Sequence, residues 1–99
     1  MKPNDNQFQA ETLMITRSLA RRARKLRKKD LSRTGSARLA RSFLEDLRAT
    51  GMDFPGAAFE EPPCAECLDT SLFIAESHLV DFENFLMGTG SMPFPATIH

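Results

Sequence analysis

Every lysine and arginine of this chain falls within residues 1–50. That half sets thirteen cations against five acids (Asp5, Glu11, Asp30, Glu45, Asp46), a balance of +8, and residues 51–99 carry eight acids and no Lys or Arg, a balance of −8. The formal net charge of zero hides this division. Like charges crowded on one element repel unless something opposes them. A folded chain of this kind sets its basic half against an acidic surface, its own or another's, presents it to a polyanion, or leaves it as a solvated face that offsets the acidic half.

The basic residues are densest in "RSLARRARKLRKKD", residues 17–30, where eight fall in the first thirteen positions. A helix of about 24 residues is expected from near Gln7 to Asp30, with Asn4 or Asp5 as its N-cap. Placed at 100° intervals, Phe8, Ile15, Leu19, Ala23 and Leu26 share one side, in a stripe roughly 80° wide. Arg17, Arg21, Arg24 and Lys28 lie opposite, and Arg22, Lys25, Arg27 and Lys29 flank them.

"LSRTGS" interrupts this pattern with a Gly, Ser and Thr cluster. A second helix is expected over about 37–50, capped by Ser36 and ended by Gly51 in a left-handed conformation. Its Ala40, Phe43, Leu44 and Leu47 follow i, i+3, i+4, i+7 spacing, an amphipathic signal. This helix and the first are expected to be antiparallel neighbours. "GMDFPGAAFEEPPC", residues 51–64, holds three Pro and two Gly in fourteen residues and reads as a connector. Phe54 and Phe59 are expected to tuck back against the helices. A third helix is expected over about 66–87, stopped by Gly88. Its Leu68, Leu72, Ala75, Leu79, Phe82 and Leu86 step by 4, 3, 4, 3, 4, an a/d seam. Phe73, Ile74, Val80 and Phe85 lie off that seam, so more than one neighbour is needed to cover this helix. Residues 1–6 and 88–99 read as tails. The fold class is all-α: a helical hairpin of a basic and an amphipathic helix, a Pro-rich connector, and an acidic helix rich in Phe and Leu, in a single small domain of 99 residues.

Several function classes recede on composition. The chain has no Trp and no Tyr, which disfavours a sugar-stacking site. The N-terminus has no apolar signal-peptide core, and no apolar run approaches membrane-spanning length, so a cytoplasmic location is expected. No GxxxxGK[ST], HExxH or GxSxG motif occurs, and "GTG" at 88–90 lacks the strand and helix of a phosphate loop. No catalytic residue and no cofactor is assigned. His78 and Asp81, three apart on the third helix, are an orienting pair in principle; an interface histidine is the simpler reading.

Cys64 and Cys67 form one CxxC. A zinc site needs four ligands, and only His78 offers itself as a third, so Cys64, Cys67 and His78 are weak metal candidates. Thiol chemistry is helped by a helix start at Cys64 and hindered by Glu60, Glu61, Glu66 and Asp69. The plainest reading is a pair of reduced, partly buried thiols.

The cations carry the main functional question. Exposed ion pairs contribute only about 0–1 kcal/mol each, so stability alone is a weak reason for so many. The leading expectation is a small non-enzymatic regulator that acts by protein–protein binding, as a homodimer or with a protein partner. Leu72, Leu79, Phe82, Phe85 and Leu86 would form its apolar contact, and Arg17, Arg21, Arg24, Lys25 and Lys28 its steering face. The second is a nucleic-acid-binding accessory or transcription-regulatory protein using residues 17–29 on phosphates. A helix-turn-helix version would start its recognition helix at Ser36, with Arg38 and Arg41 facing bases. The third is a zinc- or thiol-dependent module built on the CxxC.

Overall fold

The seam at residues 68–86 organises the molecule. In the computed structural model, which describes residues 5–88, the chain forms α1 (Asp5–Arg27), α2 (Thr34–Ala49), a short 3-10 turn (Gly56–Phe59) and α3 (Ala65–Leu86). The all-helical architecture and the order of elements agree with the sequence pattern. No helix among the described residues is long and apolar enough to cross a membrane. The side chain of Phe8, the expected cap at Asn4 and the tail beyond Gly88, with the last two residues of "GTG", lie outside the described residues.

Leu68, Leu72 and Ala75 are fully buried and Leu79 nearly so, together with Phe43 and Leu44 of α2. All four apolar residues that the spacing picked out on α2 are in this core, joined by Ala37. α1 contributes mainly small side chains, Ala20 and Ala23, with Leu26 and Thr16. Small residues let two helix backbones approach closely, and α1 takes α3 as its main neighbour, its contact with α2 being slighter. The hydroxyl of buried Thr16 donates to the Thr12 carbonyl at 2.7 Å, which removes the cost of burying it.

Three local expectations are corrected. Ile15, placed on the apolar stripe of α1, is 61 % exposed. The buried stripe runs instead through Thr16, Ala20, Ala23 and Leu26, because close packing on α3 selects small side chains rather than the most hydrophobic ones. α1 ends at Arg27, three residues before Asp30. Ser36 is not the cap of α2, which begins at Thr34 with Arg33 in an extended conformation before it. Asp30 causes this: its carboxylate accepts from the Ser32 amide at 3.1 Å and the Ser32 hydroxyl at 2.5 Å, and its carbonyl accepts from the Arg33 amide at 3.1 Å. This local turn closes the chain early, a use of Asp that competes with helix. The same two bonds hold the Asp30 carboxyl below its ordinary pKa, the side-chain bond contributing most.

The glycine stops behave as expected, with Gly51 at φ +110° and Gly88 at φ +76°. In the connector, Phe54 and Phe59 pack on the core with their rings tilted and 6.4 Å apart. The Arg48 guanidinium covers Phe59 at 4.5 Å. Arg41 reaches from α2 to Glu61, to the Glu60 carbonyl at 3.4 Å and to Glu45 at 3.6 Å, tying the connector to the helix. The hydrogen bond and charge of Arg41 hold the Glu61 carboxyl below its usual range.

Candidate functional site

The antiparallel pairing of α1 and α3 divides the cations of α1 into two sets. Arg17, Arg24 and Arg27 flank the buried stripe and meet the acids of α3. Arg17 Nε lies 2.9 Å from Glu83, Arg24 Nε 2.8 Å from Glu76, and Arg27 contacts Asp69 at 3.3 Å and Glu76 at 3.6 Å. Arg17 also reaches Met87 Sδ at 3.3 Å, and the Arg27 guanidinium stacks over Phe73 at 5.0 Å. Arg22 turns the other way, over the Phe43 ring of α2 at 5.2 Å. Part of the basic half is thus set against the acidic half of the same chain.

The second set is Arg21, Lys25, Lys28 and Lys29. All four are exposed, and none is within ion-pair distance of a carboxylate among the described residues. They follow i, i+4, i+7, i+8 spacing along the outer side of α1 and the turn after it. Cations near a helix C-terminus also complement its dipole, a contribution of about 0.3–1 kcal/mol that needs no partner. The expected basic face is therefore split. Arg17 and Arg24 are engaged by α3, and Arg21, Lys25 and Lys28 remain outward.

The predicted partner-binding residues divide in the same way. Leu72 and Leu79 belong to the interior of the single chain, which corrects their assignment to an external contact: α1 and α2 already cover the seam at that level. Phe82 and Leu86 are half-buried and Phe85 is 38 % exposed. The division has a geometric cause. α2 is only 16 residues long and ends at Ala49. Between Gln9 and Ile15 α1 has no buried residue, and α3 has none after Leu79. In that region no third helix accompanies the α1–α3 pair among the described residues. The pair is closed at its end by the Gln9 side chain, which donates to the Leu86 carbonyl at 3.0 Å.

A groove of about 500 Å³ opens where α2 stops, lined by Thr16, Leu19, Leu47, Met52, His78 and Phe82 among others. Beside it the Phe82 and Phe85 rings stack at 6.3 Å, and Met14 and Met87 are 68 % and 45 % exposed. Met14 and Ile15 were not singled out as contact residues by the sequence pattern, because neighbouring positions on one helix belong to different faces and only the packing shows which face is used.

Cys64 is the N-cap of α3, and its Sγ accepts a hydrogen bond from the Cys67 amide at 3.3 Å. Cys64 is exposed and Cys67 half-buried, so the expectation of two partly buried thiols holds only for Cys67. His78 is eleven residues beyond Cys67 on a straight helix, about 16 Å along its axis. Cys64, Cys67 and His78 are thus not brought together, and among the described residues no group of three or more His, Cys, Asp or Glu side chains could hold a metal ion. The helix-turn-helix reading loses a base-facing residue, since Arg41 is held by Glu45 and Glu61. The connection between α1 and α2, residues 28–33, also exceeds the usual three- or four-residue turn.

Among the described residues these features define an all-α fold of three helices, with a helix-pair end beyond the reach of α2 and an outward basic strip. No family model, no curated protein and no solved structure matches the chain.

Proposed function

We propose that this chain is a small non-enzymatic regulator that works by protein–protein binding, and that the open end of the α1–α3 pair joins a second copy of itself. The observation that carries the reading is the concentration of exposed apolar side chains beyond the end of α2, at Met14, Ile15, Phe85 and Met87. Large apolar side chains left exposed at one end of a fold favour association. Two copies meeting there supply each other with the missing helices and complete a four-helix arrangement. Charge favours this occupant. Arg17, the cation nearest the open end on α1, is neutralised by Glu83, while Arg21, Lys25, Lys28 and Lys29 lie toward the far end and would not face their counterparts. The outward strip then orients an acidic surface of the regulated partner.

Sedimentation velocity over a concentration series tests the reading. The expected result is a dimer that Met14→Glu with Phe85→Glu converts to a monomer of unchanged helicity, since both side chains are exposed. A wild-type chain that remains monomeric up to its solubility limit would overturn it.

The unpartnered strip also favours a second reading, nucleic-acid contact as an accessory or transcription-regulatory protein. Fluorescence anisotropy with duplex DNA and single-stranded RNA from about 50 to 200 mM salt distinguishes it, because phosphate-dominated binding falls linearly on a log–log plot. Loss of binding on Arg21→Ala, Lys25→Ala and Lys28→Ala, with little effect of Arg17→Ala, supports it. Absence of binding at low salt rejects it.

A further inference from the structure

The two cysteines lie at the opposite end of α3 from the open apolar surface, and the protein-binding reading makes no use of them. Their placement is asymmetric in three respects. Cys64 is exposed at the first turn of a 22-residue helix, where unpaired amides and the helix dipole favour negative charge. Its sulfur already accepts one of those amides, from Cys67. Cys67 sits one turn further in, half-buried against the core through which Leu68 and Leu72 run. An i, i+3 pair at a helix start is within the separation that a disulfide spans.

We propose that Cys64 and Cys67 form a thiol–disulfide exchange site, with Cys64 as the attacking thiol and Cys67 as the resolving thiol. The substrate class is a low-molecular-weight disulfide. In the first step the Cys64 thiolate attacks one sulfur of the disulfide. A bond forms between Cys64 Sγ and that sulfur, the original S–S bond breaks, and the other half leaves as a thiolate that takes a proton from solvent. In the second step Cys67 loses its proton to solvent and attacks Cys64 Sγ. The intramolecular disulfide forms and the second half of the substrate leaves as a thiolate, again protonated by water. The chain loses two electrons and two protons, and the disulfide becomes two thiols.

The charges around the pair suit this order. The Cys64 thiol is held below its ordinary pKa, first by the hydrogen bond from the Cys67 thiol and then by the Cys67 amide, with Glu66 opposing. The Cys67 thiol is pushed up by that same bond to Cys64, by burial, and by Glu66 and Glu60. The acids that count against thiol chemistry in the sequence therefore bear on both sulfurs, but the amide and thiol donors outweigh them at Cys64. Arg38 and Arg41 line a groove of about 380 Å³ between the start of α2 and Pro62, Pro63 and Ala65, the residues on either side of Cys64. Cys64 is itself exposed, which leaves its thiol open to a small disulfide from solvent.

The test titrates the full chain with mixtures of glutathione and glutathione disulfide, followed by acid quench and mass spectrometry. The expected result is reversible loss of two thiols within one chain. Cys67→Ser should accumulate a single glutathionyl adduct at Cys64, and Cys64→Ser several-fold less adduct at Cys67. With iodoacetamide, Cys64 should alkylate several-fold faster than Cys67 at neutral pH, with its rate profile displaced to lower pH than that of free cysteine. Serine is itself a good N-cap, so Cys64→Ser keeps α3 intact, as far-UV circular dichroism would verify. Failure to form an intramolecular disulfide at any ratio would overturn the proposal, as would equal adducts on the two variants. Neither outcome bears on dimerisation, which is read by sedimentation at the other end of the molecule.

Discussion

Replacing Ser71 with Ala should make this protein more stable. Ser71 lies in α3 between Leu68 and Leu72, is fully buried, and its Oγ has no hydrogen-bond partner among the described residues. A buried hydroxyl without a partner costs about 1–3 kcal/mol relative to its hydrated state. Alanine removes that cost and gains about 0.5 kcal/mol in helix propensity. Against this stands the void left by one oxygen atom, whose contacts contribute about 0.1–0.2 kcal/mol each, about 1 kcal/mol for half a dozen of them. The balance is a stabilisation of about 1 kcal/mol. For a domain of this size that raises Tm by about 4–8 °C. Thermal and urea unfolding by far-UV circular dichroism measures it, with Ser71→Thr as a control that keeps the hydroxyl and adds a methyl to a full core. A fall in Tm for Ser71→Ala would refute the argument, because it would mean that the hydroxyl makes a bond worth keeping.

Leu72→Ala should destabilise the chain by about 2–5 kcal/mol, as removal of a fully buried leucine does, and a urea midpoint close to wild type would place Leu72 outside the core. Gly51→Ala should cost about 1–2 kcal/mol through backbone strain alone. Its φ is +110° and an added Cβ meets nothing within 4 Å, so Gly51→Asn, which tolerates positive φ better, should lose less in the same denaturation assay. A double-mutant cycle of Arg24→Ala and Glu76→Gln should give a coupling of about 0.2–1 kcal/mol that shrinks in high salt, and a larger, salt-independent coupling would contradict a half-exposed pair.

The elements of this fold were legible because each carries its own periodicity and stop. Ala40, Phe43, Leu44 and Leu47 on α2 and Leu68, Leu72, Ala75 and Leu79 on α3 are buried where their spacing put them, and Gly51 and Gly88 end their helices. α1 was read with its face rotated, since Thr16 and Ala20 signal close approach by being small, a property that a hydrophobic stripe does not register. The site was legible only as a list of residue types. Which arginines would be consumed by Glu83, Glu76 and Asp69 depends on how α1 lies against α3, and that is a tertiary fact. The same holds for the seam: Leu72 and Leu86 are equivalent by heptad position, and only the length of α2 makes one interior and the other accessible. At the CxxC, the acids were visible in the sequence, but the bond that the Cys67 amide makes to Cys64 Sγ required coordinates.

The ladder between α1 and α3 repeats with a period of seven on one side: Asp69, Glu76 and Glu83 are evenly spaced, as are Arg17 and Arg24. Slide α1 by one heptad, about 10 Å, and Arg17 would face Glu76 while Arg24 faced Asp69. Opposite charges would still meet. The ladder therefore acts as an orientation code without a phase: it says which sides of the two helices belong together, and it is indifferent to where along them they lock. Phase comes from the uncharged positions, where Thr16, Ala20 and Ala23 make a shallow track on α1, and from the tether through α2. Substitutions that enlarge those three residues should therefore disturb alignment more than substitutions that erase any one of the ion pairs.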